Sequence, residues 1–183
     1  MQDERAVGGK TIIITGASSG VGRGTALRAA AAGARGVLVA RRETALTSLV
    51  DEIQGSGGSA LAVTADVTSV TALLRVADDA EAAFGASDVW INNAAVGALG
   101  LFWTVPLADH LRTVDVNLAG VLAGCHVALG RFLSRGRGTV INVGSVEGAV
   151  PLAYQSTYAA SKAAVHSLTR SLRAELRLAG APR

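Results

Sequence analysis

The feature that most constrains this chain is a junction near its start. Thr11-Ile12-Ile13-Ile14-Thr15 runs directly into Gly16-Ala17-Ser18-Ser19-Gly20-Val21-Gly22, which opens an alanine-rich stretch. An apolar run without polar alternation predicts a strand buried on both faces. Glycines between such a strand and a helix suit a phosphate-binding turn. Gly16 can make the tight turn, Gly20 lets the backbone approach a pyrophosphate, and Gly22 permits close packing of helix on strand. The helix start offers unpaired N–H groups and a positive dipole end to phosphate. The spacing is G-x3-G-x-G, and no Gly-Lys-Ser/Thr follows as a P-loop requires. A purely structural glycine turn is the plainer alternative.

The strand-then-helix pattern repeats. Val37-Leu38-Val39-Ala40, Ala60 to Thr64, Val89-Trp90-Ile91 and Gly138 to Val143 read as further strands. Helices are predicted from Gly20 to Gly33, Glu43 to Gln54, Ser69 (as N-cap) to Phe84, about Leu107 to Ser134, and roughly Thr157 to Leu178. Five alternations imply an α/β chain with parallel strands and right-handed crossovers. Residues 1–183 read as a single domain.

Half of the residues are hydrophobic and 17% are charged, which excludes a disordered polyelectrolyte. A net charge of +3 leaves nucleic acid without an expected role. Arg131, Arg135 and Arg137 cluster near a helix end, where the dipole accounts for them. The one cysteine, Cys125, rules out an internal disulfide and is expected to be buried rather than reactive. His110, His126 and His166 are too widely spaced for a metal site, so no metal is expected. Met1–Arg5 is polar and acidic, unlike a secretory signal. The uncharged run Asn117 to Gly130 is short of the roughly 20 residues a bilayer needs. A soluble, cytoplasmic protein without a membrane partner is expected.

Several motifs now fall into register. Thr15-Gly16-x3-Gly20-x-Gly22 resembles the cofactor fingerprint of short-chain dehydrogenases/reductases. Asn92-Asn93-Ala94-Ala95 is similar to that family's Asn-Asn-Ala-Gly, with Ala95 in place of the glycine. Tyr158-Ala159-Ala160-Ser161-Lys162 resembles its Tyr-x3-Lys, Ser145 precedes the tyrosine by thirteen residues, and Asn117 matches its helix asparagine. The likeness runs from about Lys10 to the end. It implies a Rossmann-like doubly wound parallel sheet of five strands in the order 3-2-1-4-5, forming a dinucleotide-binding and catalytic domain. Family members usually continue into a sixth strand, a substrate lid and a seventh strand, so the chain reads as truncated. A homo-oligomer, dimer or tetramer, is also implied.

The resemblance assigns catalysis to Asn117, Ser145, Tyr158 and Lys162. Tyr158 and Lys162 share a helix face. A neighbouring ammonium favours phenolate, which moves a tyrosine from about pH 10 toward working pH. A fixed serine donor helps most as charge grows on a substrate oxygen. Only Lys10 and Lys162 are lysines, against fifteen arginines, which suggests a chemical need at Lys162. Lys162 is further implied to hold the nicotinamide ribose, and Asn117 a water in a proton relay.

The cofactor expected is NADP(H) rather than NAD(H). NAD-binding domains usually end the second strand with an acid; here that region reads Val39-Ala40-Arg41-Arg42-Glu43. Arginine suits a ribose 2′-phosphate, and Ser18 could add a hydroxyl; two solvated arginines are the plain alternative. Asp66 resembles the aspartate at the adenine amino group, with Val67 beside it. Asn93 resembles the adenosine-side contact of its motif, and Ala94 beside it, with Ser19 and Val21 in the glycine turn, is expected at the cofactor. Val96, Phe102, Trp103, Leu152, Tyr154 and Gln155 are expected on the substrate side and suggest a fairly apolar carbonyl or alcohol. Glu147 is expected to be a solvated loop acid. Epimerases and dehydratases of related build usually carry G-x2-G-x2-G, which this chain lacks. The rival reading is a catalytically incomplete nucleotide-binding or interaction module, with the fifth strand as an exposed edge.

Overall fold

The computed structural model describes residues 7–181, so the Met1–Arg5 stretch and the final Pro182-Arg183 lie outside the described residues. Along the chain come β1 (Thr11–Thr15), α1 (Gly20–Ala31), β2 (Arg35–Ala40), α2 (Glu43–Gly55), β3 (Ser59–Thr64) and α3 (Val70–Phe84). β4 (Val89–Asn92), α4 (Leu107–Val114), α5 (Gly120–Arg135), β5 (Thr139–Asn142) and α6 (Ser156–Leu178) follow. All strands pair in parallel, in the order β3-β2-β1-β4-β5. This is the doubly wound topology expected.

Alternation of side chains across the sheet splits the core in two. Ile13, Val37, Val39 and Trp90 face α3 and α5, meeting Leu73, Val76, Val127 and Phe132. Ile12, Ile14, Leu38 and Ile91 face the other way, against Ala26 of α1 and Leu46, Leu49 and Ile53 of α2. Cover on both faces is why β1 and β2 read as unbroken apolar runs. Each fully buried Ile or Leu contributes about 1.5–3 kcal/mol. α6 joins through Val165, which packs with Val121 and Cys125 of α5. β5 is the edge strand among the described residues, with Ile141 44% exposed.

The boundaries shift in places. β2 begins two residues early, and Asn92 belongs to β4 rather than to the turn after it. The long helix runs from Leu107 to Arg135 but contains a π-helical turn at Asp115–Ala119. Such turns often sit at functional sites, and this one holds Asn117, which is fully buried. By length and composition this helix could cross a membrane, yet half of its most apolar window is buried in the domain. It is a core helix here. Gly124 lets it approach the sheet, since a Cβ there would overlap Asn92 Oδ1. That oxygen accepts from Trp90 Nε1 at 2.8 Å, while Asn92 Nδ2 donates to Asn142 Oδ1 at 2.8 Å.

Candidate active site

The carboxyl ends of the strands converge on a cleft of about 540 Å³, the place where open α/β sheets bind ligands. Gly16 and Gly20 have φ of +69° and +54°, in the left-handed region that favours glycine. At Gly22 a Cβ would overlap Gly16 O and lie 2.5 Å from Asn93 Nδ2. The turn is latched to the end of β4. Asn93 Nδ2 donates to Thr15 O at 2.9 Å and Gly16 O at 3.3 Å. Thr15 Oγ1 accepts from the backbone N–H groups of Asn93 and Ala94. Ser19 caps α1 with no side-chain hydrogen bond, so that side chain leaves the first-turn N–H groups free for a ligand.

Beyond β2 the cleft passes Ala40, Arg41 and Arg42. Arg42 Nη2 donates to Ser18 Oγ at 3.2 Å and to Ser18 O at 3.4 Å. Beyond β3 it passes Asp66 and Val67. Asp66 accepts from the Thr68 backbone at 3.0 Å, the Thr68 hydroxyl at 2.8 Å and Arg112 Nη2 at 2.8 Å. Burial pushes this carboxyl up, but the hydrogen bonds from Thr68 and Arg112 outweigh it and bring the pKa from 3.8 to about 2. A lowered folded-state pKa gives stability that is complete above 3.8 and is lost as pH falls toward about 2. Acid unfolding followed by circular dichroism should therefore find Asp66→Asn less stable than wild type near neutrality, with the gap closing below about pH 4. A gap independent of pH would contradict this.

At the other end of the cleft stand Tyr158 and Lys162 of α6. Lys162 Nζ lies 5.8 Å from the Tyr158 ring centroid and donates to Val143 O at 2.7 Å. The lysine is 2% exposed, and burial pulls its ammonium below the ordinary lysine value. Gly148, in a 3-10 turn at Val146–Gly148, seats this turn on α6, because a Cβ there would lie 2.8 Å from the Lys162 carbonyl carbon.

All the residues expected at the nucleotide line this one cleft with Tyr158 and Lys162, except Gly22, which packs behind Gly16. Ser145 and Asn117 are not among the lining residues. Ser145 follows the lining Gly144 and caps the 3-10 turn, its Oγ accepting from Glu147 N–H at 3.2 Å. Asn117 accepts from Val96 N–H at 2.9 Å and donates to Val96 O at 2.9 Å and Ser161 Oγ at 3.1 Å. Its amide thus holds a backbone segment beside the cleft. Val96 lines the cleft, whereas Phe102, Trp103, Leu152 and Tyr154 are exposed. Glu147 corrects an expectation. It is half-buried rather than solvated, with Oε1 accepting from Gln155 Nε2 and Oε2 buried without a partner among the described residues. Cys125 is buried, which pushes its thiol up.

Sequence reasoning missed Arg112, whose guanidinium meets Asp66 across 46 residues. It missed the latch of Thr15, although Thr15 stands at the mouth of the glycine motif. It also missed His110, set aside as a metal ligand but bonded to Thr157.

A family model described as short chain dehydrogenase matches residues 10–180. An uncharacterized oxidoreductase of Bacillus subtilis, YxnA, is 43% identical over 174 residues, covering 94% of this chain and 49% of that protein. A 3beta-hydroxysteroid dehydrogenase 1 of Eggerthella lenta is 38% identical over 169 residues, covering 91% and 65%. The crystal structure of a short chain dehydrogenase/reductase from Burkholderia phymatum in complex with NAD superposes with a TM-score of 0.92 at 36% identity, covering 99% of this chain and 64% of that one. The chain thus spans between about half and two thirds of the length of these relatives. Fold, motif order and sequence agree, and the chain belongs to the short-chain dehydrogenase/reductase family.

Proposed function

We propose that this chain is the nucleotide-binding and catalytic part of an NADP(H)-dependent oxidoreductase that interconverts a carbonyl and an alcohol. One observation carries the reading: the glycine turn and the Tyr158/Lys162 pair line the same cleft. The residues fit a dinucleotide. The turn has a backbone that no side chain crowds at Gly20, and the start of α1 lacks a side-chain cap. Asp66 and Val67 would take the adenine, Arg41 and Arg42 the 2′-phosphate, and Lys162 the nicotinamide ribose. The Burkholderia phymatum relative holds NAD; the preference for NADP(H) rests on this chain's own arginines and on Ala40 where an acid would stand.

The bound cofactor supplies hydride to the carbonyl carbon, or takes it up in the reverse direction. In reduction the Tyr158 hydroxyl gives its proton to the carbonyl oxygen, and Ser145 Oγ orients that oxygen. Lys162 holds a positive charge behind the phenol. Asn117 anchors the Val96 backbone beside them. Val96 in the cleft, with the exposed Leu99, Phe102, Trp103 and Leu152, supports a fairly apolar substrate. The single buried cysteine agrees with a reducing cytoplasm. Exposed Leu122 and Leu133 on α5 support self-association, as a dimer or tetramer.

Calorimetric titration of the protein with NADPH and with NADH tests this. NADPH should bind at least about tenfold more tightly, a difference of about 1.4 kcal/mol. Equal affinities would remove the NADP(H) reading, and binding of neither would leave these residues catalytically incomplete by themselves.

A further inference from the structure

Thr157 and Ser161 stand one turn apart on α6, each immediately before one member of the Tyr158/Lys162 pair. Each is bonded to a buried side chain of the facing helix. Asn117 donates to Ser161 Oγ at 3.1 Å, and His110 Nδ1 lies 2.7 Å from Thr157 Oγ1. Each of these two side chains also holds the segment joining β4 to α4. Asn117 pairs with both backbone groups of Val96, and His110 Nε2 lies 3.0 Å from Phe102 O. Between the two anchors the chain passes Tyr158, where a Cβ on Gly97 would make ordinary contact with Tyr158 Cδ2 at 3.9 Å.

The chemistry of His110 fits an anchor. It is 7% exposed, and the Phe102 ring lies 4.5 Å from its own, centroid to centroid. A carbonyl only accepts, so Nε2 carries the proton, and in the neutral ring Nδ1 accepts from the Thr157 hydroxyl. A buried imidazole costs stability unless both nitrogens are paired; here both are. A third tie, Gly100 N–H to Tyr154 O at 2.9 Å, holds the same segment, with Tyr154 at a φ of +67°.

We propose that His110 is a positioning residue: with Thr157 it forms a second anchor, matching Asn117 with Ser161, that fixes residues 96–102 across Tyr158. It thereby sets the apolar wall that Val96 gives the cleft beside Tyr158. The effect on substrate choice rests on the carbonyl–alcohol reading above; the anchoring does not.

Hydrogen exchange read by mass spectrometry on the intact protein tests the anchor. His110→Phe keeps a ring against Phe102 and removes both hydrogen bonds. Thr157→Val removes the hydroxyl at constant shape, carries the test if His110→Phe does not fold, and Thr157→Ser restores the hydroxyl. Exchange in segment 96–106 should rise about tenfold in the first two and return to wild type in the third, with segment 11–22 unchanged. Unchanged exchange in 96–106, or equal acceleration throughout the chain, overturns the proposal. Kinetics with a long-chain aliphatic aldehyde and with acetaldehyde read the wall. In Thr157→Val the KM for the long aldehyde should rise about tenfold while that for acetaldehyde stays within about twofold. Equal change for both overturns the wall. A wild type inert toward both, with the exchange effect present, overturns the carbonyl–alcohol reading and supports the anchor.

Discussion

On the proposed carbonyl–alcohol reading, replacing Tyr158 by phenylalanine should lower turnover by about 100- to 10,000-fold, the range typical for loss of a positioned proton donor. NADPH affinity should stay within about twofold if the phenol acts only in the reaction. Phenylalanine keeps the ring beneath Gly97 and in front of Lys162, and loses only the hydroxyl. The position of α6 depends on other bonds: Lys162 to Val143 O, Ser161 to Asn117 and Thr157 to His110. None uses the phenol. Single-turnover kinetics beside a nucleotide titration separate the outcomes. Retained turnover moves the proton donor elsewhere in the cleft. Parallel loss of nucleotide binding would mean that Tyr158 shapes the site rather than acting in it.

How far the sequence reached depends on the range of each interaction. β1 and β2 were legible because both faces are covered, so Ile12 to Ile14 and Val37 to Val39 need no polar alternation. The tight turn at Gly16 and the close packing at Gly22 were legible because both lie in local backbone geometry. The π turn at Asp115–Ala119 was not, since a helical pattern says nothing about Asn117 reaching Val96 and Ser161. Asp66 with Arg112 and His110 with Thr157 join residues 46 and 47 apart, beyond any helical or strand period. Glu147 misled for the opposite reason. A loop acid is usually solvated, but here the 3-10 turn packs on α6 and buries part of it.

The sharpest test of cofactor choice lies in two adjacent arginines that are not equivalent. Arg42 is already engaged, bonded to Ser18 in the glycine turn. Arg41 lines the cleft with no hydrogen bond among the described residues. A 2′-phosphate would give Arg41 its first partner, and a charge-assisted hydrogen bond is worth about 1.5–3 kcal/mol. Arg41→Ala should therefore raise the Kd for NADPH about 10- to 100-fold and that for NADH less than about threefold. Arg42→Ala should weaken both nucleotides, since it also loosens the turn that every dinucleotide would share. Adding Ala40→Asp to Arg41→Ala places an acid at the end of β2, where ribose hydroxyls are taken in NAD-binding domains. That double variant should bind NADH more tightly than NADPH. If Arg41→Ala weakens both nucleotides alike, its guanidinium serves the adenine or the turn, and the basis for NADP(H) is gone. High salt gives an independent check. A phosphate–guanidinium contact on an open rim weakens with ionic strength, so wild-type preference for NADPH should narrow as salt rises, and that of Arg41→Ala should not.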